Sequence, residues 1–158
     1  MTGEMKERFI GERVRALATV ILTRRDDLSI SDTKLSTGLD FHVHIDREDK
    51  PMRLSLGVLL RGVSGPMTPE NANQVLGPTM GQFQGMRNFT YPVCLFFFTM
   101  RDEKAYFAWL AEPLVGEAGP KLVHHFRAHC VELTDELLDD SIEAVVEWFD
   151  AVETVLIA

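Results

Sequence analysis

Residues 38–46 read Gly-Leu-Asp-Phe-His-Val-His-Ile-Asp, so Asp40, His42, His44 and Asp46 alternate with Leu39, Phe41, Val43 and Ile45. Strict period-2 alternation predicts a strand with one polar and one apolar face. A charged turn, Arg47-Glu48-Asp49-Lys50-Pro51, leads into a second predicted strand over 52–62. An aspartate on the first strand of such a hairpin, with an acid and a lysine on the second, can hold Mg2+ against a phosphodiester and supply a cation beside the scissile bond. Here the positions of that acid and lysine hold Leu59 and Arg61. Leu59 offers no oxygen to a metal. Arg61 keeps the charge, but its planar guanidinium does not give up a proton as a lysine can.

If the polar faces of the two strands meet, Asp46 opposes Arg53, His44 opposes Ser55, His42 opposes Gly57 and Asp40 opposes Leu59, with Arg61 on the diagonal from Asp40. That register predicts a structural Asp40–Arg61 ion pair. A third acid, Glu12, lies in the first predicted helix, whose apolar stripe of Ile10, Val14, Leu17 and Ile21 places it on the outward face. Two histidine groups offer other chemistry. His42 and His44 share a strand face and could form a Zn2+ pair, with Asp40 or Asp46 as a third ligand; the favoured reading is a polar strand face covered by a loop or helix, without metal. His124-His125-x3-His129-Cys130 is a second cluster, with the spacing of a helix face in a segment that also reads as strand. Cys94, between Val93 and Leu95, reads as a core thiol, and Phe96-Phe97-Phe98 reads as core and not as a base-stacking platform. Gly77-Pro78-Thr79-Met80-Gly81 lacks the lysine and spacing of a phosphate loop, and Met80, Gly81, Gly85 and Met86 suggest a flexible or partner-facing segment.

The elements that must position these residues follow from the same patterning. A helix is predicted over 4–24, a short strand over 28–30, and then the hairpin strands over 38–46 and 52–62. Thr68 followed by Pro69 predicts an N-cap and first helical position, with a helix to about 76, a break at Gly77-Pro78 and a second short helix over 79–87. Residues 93–98 are apolar on both faces, as in a central strand, and a turn over 101–104 joins them to an antiparallel neighbour over 105–110. Residues 112–120 read as a loop and 121–133 as an ambiguous stretch. Thr134 caps the last helix, whose buried stripe is Leu138, Ile142, Val145, Phe149 and Val152; Trp148 falls off that stripe and suggests an interface.

The chain length of 158 residues predicts a single domain over 1–158, and the 46% hydrophobic and 25% charged content is that of an ordered globular fold. No run approaches the ~20 apolar residues of a membrane span. The polar N-terminal residues lack the apolar core of a signal peptide, and there are two cysteines, so a cytoplasmic setting without disulfides is expected. The net charge of -8, with only one basic pair at Arg24-Arg25, disfavours nucleic acid as the partner.

The pattern α-β-β-β-α-β-β-α resembles the restriction-endonuclease-like fold, the PD-(D/E)XK superfamily, and within it a bacterial family of nuclease-like domains of unknown function. The resemblance spans 5–155 and rests on Gly11-Glu12-Arg13, Gly38-Leu39-Asp40, Gly57-Val58-Leu59-Leu60-Arg61-Gly62 and Tyr91-Pro92-Val93, with Tyr106-Phe107-Ala108-Trp109-Leu110 beyond. It implies an α/β/α sandwich on a mixed central sheet, with Asp40, Arg61 and Glu12 as vestiges of a catalytic site. The expectation is a degenerate, inactive nuclease fold without a cofactor, acting as a binding or scaffold module through a protein partner or as a homodimer. The alternatives are a Mg2+-dependent DNA or RNA endonuclease using Asp40, Glu12 and Arg61, and a small metal-binding protein built on His42 and His44.

Overall fold

The fold is that of a computed structural model, which describes residues 3–33, 37–48, 54–85 and 89–157. Along the chain run α1 (Gly3–Leu22), β1 (Leu28–Asp32), β2 (Phe41–Ile45), β3 (Leu54–Val63), α2 (Pro69–Val75), α3 (Gly77–Gln84), β4 (Val93–Thr99), β5 (Lys104–Gly116), β6 (Gly119–His124), β7 (Val131–Glu132) and α4 (Asp135–Ile157). The strands form one mixed sheet in the order β1-β2-β3-β4-β5-β6, with the short β7 also paired to β5. All neighbours are antiparallel except β3 and β4. A parallel pair needs a long crossover, and here it carries α2 and α3.

β4 is the central strand predicted from its two-sided apolar run. Cys94, Phe96 and Phe98 join one core with Val14, Ala18 and Leu22 of α1 and Leu138, Ile142 and Val145 of α4. Val93, Leu95 and Phe97 join the other core with Ala72 and Leu76 near α2 and Met80 and Phe83 of α3. Helices therefore cover both faces. Phe96 and Phe97 are 0% and 1% exposed. Cys94 is buried as expected, and burial pushes its thiol pKa up, so it stays protonated near neutral pH.

Four features depart from the sequence-based expectation. Residues 112–120 are not a loop: β5 continues to Gly116 and turns at Gly119, where φ is +109°, into β6. Gly77-Pro78 opens α3, with Pro78 in its first turn, because proline needs no N–H there. The fully buried line of α1 is Val14, Ala18 and Leu22, with Ile10, Leu17 and Ile21 flanking it. Trp148 is not an interface residue: it is 7% exposed within the core, and its Nε1–H donates to the Lys121 carbonyl at 3.1 Å. Residues 49–53, the end of the predicted hairpin turn and the start of the second predicted strand with Arg53, and residues 86–87 of the predicted 79–87 helix lie outside the described residues.

Gly62 sets how closely α1 lies over β3. A Cβ on Gly62 would stand 2.5 Å from Val14 Cγ2 and 3.1 Å from Ile10 Cγ2, both on β-branched side chains that cannot swing aside freely. A Cβ on Gly11 meets nothing within 4 Å. Gly62→Ala is therefore expected to destabilise by about 1–3 kcal/mol, while Gly11→Ala stabilises by about 0.5–1 kcal/mol through helix propensity. Denaturant midpoints shifting in the same direction for both variants would contradict this packing.

Arg25, just past α1, forks onto Asp27 through Nε at 3.0 Å and Nη2 at 2.8 Å, and reaches Asp139 of α4 through Nη1 at 2.6 Å. The guanidinium holds the Asp27 carboxyl below its usual range. A depressed carboxylate contributes stability that is present above its unfolded value of about 3.9 and lost as pH falls through the lower folded value. Arg25→Met is expected to flatten the fall of unfolding free energy on the acid side of pH 4, read by denaturant titration at a series of pH values. An unchanged slope would remove this contribution.

Candidate functional site

The site is built at the head of β2. Gly38 has φ +82°, a left-handed conformation that glycine adopts without strain, and the turn it makes leads into Leu39 and Asp40. Leu39 is buried in the α2–α3 core, and Asp40 is buried at 3% exposed. The predicted register holds for His42 opposite Gly57 and His44 opposite Ser55, but not for Asp40 opposite Leu59: pairing stops at Phe41, and Asp40 turns to the α1 side with Leu60 while Leu59 packs in the opposite core. Strand pairing with β3 ends at Phe41 and Val58, and there the Asp40 side chain takes over: its Oδ2 accepts the Leu60 N–H at 2.7 Å.

Two cations meet that carboxylate. Arg15 Nη1 donates to Asp40 Oδ1 at 3.3 Å, and Arg15 Nη2 pairs with Asp32 at the end of β1. The same guanidinium lies 5.0 Å from the centroid of the Phe41 ring. Arg61 Nη1 stands 3.7 Å from Asp40 Oδ2 while donating to the Leu60 carbonyl at 2.7 Å, and its Nη2 donates to Gln82 Oε1 at 3.3 Å. The expected Asp40–Arg61 pair is thus present, but the closer cation is Arg15, which the sequence reading missed. A cleft of about 600 Å³ opens over these groups, lined on α1 by Glu7, Ile10, Gly11, Val14 and Arg15 and on the sheet by Asp40, Leu60, Arg61 and Gly62.

Glu12 is not brought to this cleft. It is exposed, 3.9 Å from Arg8, on the side of α1 away from the buried line. The carboxylate that α1 does offer is Glu7; Glu7, Gly11 and Arg15, spaced i, i+4 and i+8, form the row facing the opening. Leu59, where the sequence analysis expected a second acid in a metal site, is 3% exposed and packed in the opposite core with Leu39, Leu95 and Phe97.

The implied Mg2+ therefore meets a donor set that does not suit it. One Asp40 oxygen holds the Leu60 amide and the other holds Arg15, Leu59 has no oxygen, and two guanidinium groups stand where the ion's charge would be. A hard divalent cation needs several oxygen ligands. Among the described residues no group of three His, Cys, Asp or Glu is placed to hold a metal ion.

The histidines have other surroundings. His42 and His44 stack with ring centroids 4.5 Å apart, and His42 also lies 5.4 Å from the Tyr91 ring. Stacking aligns their faces instead of converging their nitrogens. His125 pairs with Glu112 at 2.8 Å and meets His129 edge to face at 6.2 Å, while His124 stacks near Phe83 at 6.2 Å. The predicted His–Cys cluster is neither one helix nor one strand, because β6 ends at His124. Cys130 is buried, which pushes its thiol up to about 11. Comparison with protein-family models, with curated proteins and with solved structures gave no match.

Removing the Asp40 carboxylate strands a buried N–H, takes the nearest carboxylate from Arg61 and leaves Arg15 with Asp32 alone. Asp40→Ala is expected to cost about 3–5 kcal/mol. Asp40→Asn, which keeps an oxygen for Leu60, should cost roughly half of that. Denaturant unfolding checks both, and equal losses would mean that the Leu60 bond contributes nothing.

Proposed function

We propose that this chain is a degenerate restriction-endonuclease-like domain, of the PD-(D/E)XK type, that binds without hydrolysing. The observation that carries the reading is the state of Asp40, held by Arg15, Arg61 and the Leu60 amide, with Leu59 turned into the core where a second acid would serve a metal. The α-β-β-β start, the parallel β3–β4 pair and the helices on both faces of a mixed sheet support the fold assignment. Phosphodiester hydrolysis needs a positioned metal or an equivalent centre for the attacking water, and this donor set provides none that a divalent ion would prefer over its guanidinium neighbours.

The proposed role is that of a binding or scaffold module acting through a protein partner or a second copy of the chain. Its net charge of -8 works against a nucleic-acid backbone. No helix among the described residues is long and apolar enough to cross a membrane. Exposed apolar residues on the long hairpin and the end of α4, such as Val115 at 52% and Leu156 at 69%, supply surface for a protein contact.

The test is incubation of the pure protein with plasmid, linear duplex, single-stranded DNA and RNA in Mg2+ or Mn2+, with retention of the same labelled nucleic acids measured at low salt. Neither cleavage nor retention is expected. Turnover that disappears in Asp40→Ala would establish the endonuclease alternative, and salt-sensitive retention would restore nucleic acid as the ligand.

A further inference from the structure

The two edges of the sheet are built differently. An edge strand presents a row of backbone groups to solvent, and proteins commonly guard that row with proline, lysine or a bulge. At the β6 edge the His125 N–H donates to the Leu110 carbonyl, so the odd-numbered residues of β6 turn their backbone groups to β5 and the even-numbered ones turn them outward. Pro120 is one of the outward residues and removes a donor there. At the β1 edge the Asp46 N–H donates to the Asp27 carbonyl, and the Thr33 N–H to the Asp40 carbonyl. These bonds set the alternation on β1: Ser29 and Ser31 turn their backbone groups to β2, while those of Leu28 and Ile30 point away from the sheet. No strand lies beyond them among the described residues. β1 carries no proline and no lysine, and its pairing with β2 has no bulge.

We propose that β1 is where two copies of this chain join, strand to antiparallel strand, about a twofold axis at Ser29. This rests on the binding-module reading and names its partner as a second copy. The axis sets Leu28 of each copy opposite Ile30 of the other, so the outward N–H and C=O groups of both residues are exchanged. The side chains of Leu28 and Ile30 lie on the side of the sheet covered by α1 and α4, and there they meet as apolar cross-strand pairs. On the other face Ser29 meets Ser29, hydroxyl to hydroxyl. Moving the axis to Leu28 or to Ile30 would set an apolar residue opposite Asp26 or Asp32, so the chemistry of the edge selects the axis at Ser29. Acidic chains meet here without strong repulsion. Residues 28–31 carry no charge, Asp26 belongs to the turn before β1, and Asp27 and Asp32 are paired with Arg25 and Arg15.

The experiment is mass in solution by light scattering, over a dilution series, for wild type, Ser29→Lys, Ser29→Asp and an equal mixture of the two variants. Wild type is expected at twice the mass of the single chain. Each variant alone should shift about tenfold or more towards monomer, because the twofold sets like charges against each other. The mixture should return to the dimer, since opposite charges then meet. Ser29 is exposed, so neither substitution disturbs the core. If one of them fails to fold, Ser29→Cys replaces the pair. In a non-hydrogen-bonded antiparallel pair the Cα atoms stand about 4.5 Å apart, within disulfide reach. Mild oxidation should therefore link Ser29→Cys into a dimer and leave Ser31→Cys unlinked, while Cys94 and Cys130 stay buried. A wild type that is monomeric throughout overturns the proposal, as does a dimer indifferent to charge at position 29 or a link formed through Ser31→Cys alone. A monomer would leave the non-hydrolytic reading standing with a different protein as partner, whereas cleavage of nucleic acid by wild type would sink that reading whatever the mass.

Discussion

A single buried carboxylate, that of Asp40, ties together the elements that form the cleft. Backbone pairing between β2 and β3 stops one residue short of it, and its Oδ2 continues the ladder by accepting the Leu60 N–H. That bond holds a buried negative charge at the head of β2. The charge in turn requires a cation, which Arg15 delivers from α1. The helix can bring it there only because Gly62 lets α1 settle onto β3. Strand end, helix position and glycine thus meet at one buried charge.

The same requirement explains why the cleft does not read as a hydrolytic centre. Asp32 and Asp40 are balanced by Arg15 and Arg61, all within the fold's own groups. Glu7 lines the same opening, so the cleft carries no excess of positive charge to draw in a phosphate. This agrees in sign with the acidic chain as a whole. Arg61 brings a second positive group to the opening, yet its nitrogens bond the Leu60 carbonyl and Gln82. Its role there is to join the end of β3 to α3.

Much of this was readable from residue patterns, where local chemistry and tertiary packing agree. The alternation from Phe41 to Ile45 gave the strand and its face, and the matching of polar faces gave the pairing of His42 with Gly57; it failed at Leu39 and Asp40, which precede the paired strand and take the opposite sides. The two-sided run around Phe96 gave the central strand, and Thr68 and Thr134 gave helix starts because each hydroxyl accepts an N–H in the first turn. Pro113 misled because proline usually argues against a strand. It is tolerated in β5 because it lies beyond Ala111, the last residue paired with β4, where the strand has one neighbour. Trp148 misled because a single helical stripe underestimates burial when a long hairpin, β5–β6, packs along α4. Arg15 was invisible because a charged residue beside an apolar stripe usually faces water. Only the Glu7, Gly11, Arg15 row hinted that this flank of α1 borders an opening.

The central claim is that Arg15, and not a metal, neutralises Asp40. It is tested most directly by a crystal structure of the wild-type protein soaked in Mn2+, with anomalous data collected near the manganese edge. The account predicts Arg15 bridging Asp32 and Asp40 with no anomalous peak at Asp40. A peak bound to Asp40 with the Arg15 side chain displaced into the cleft would contradict it.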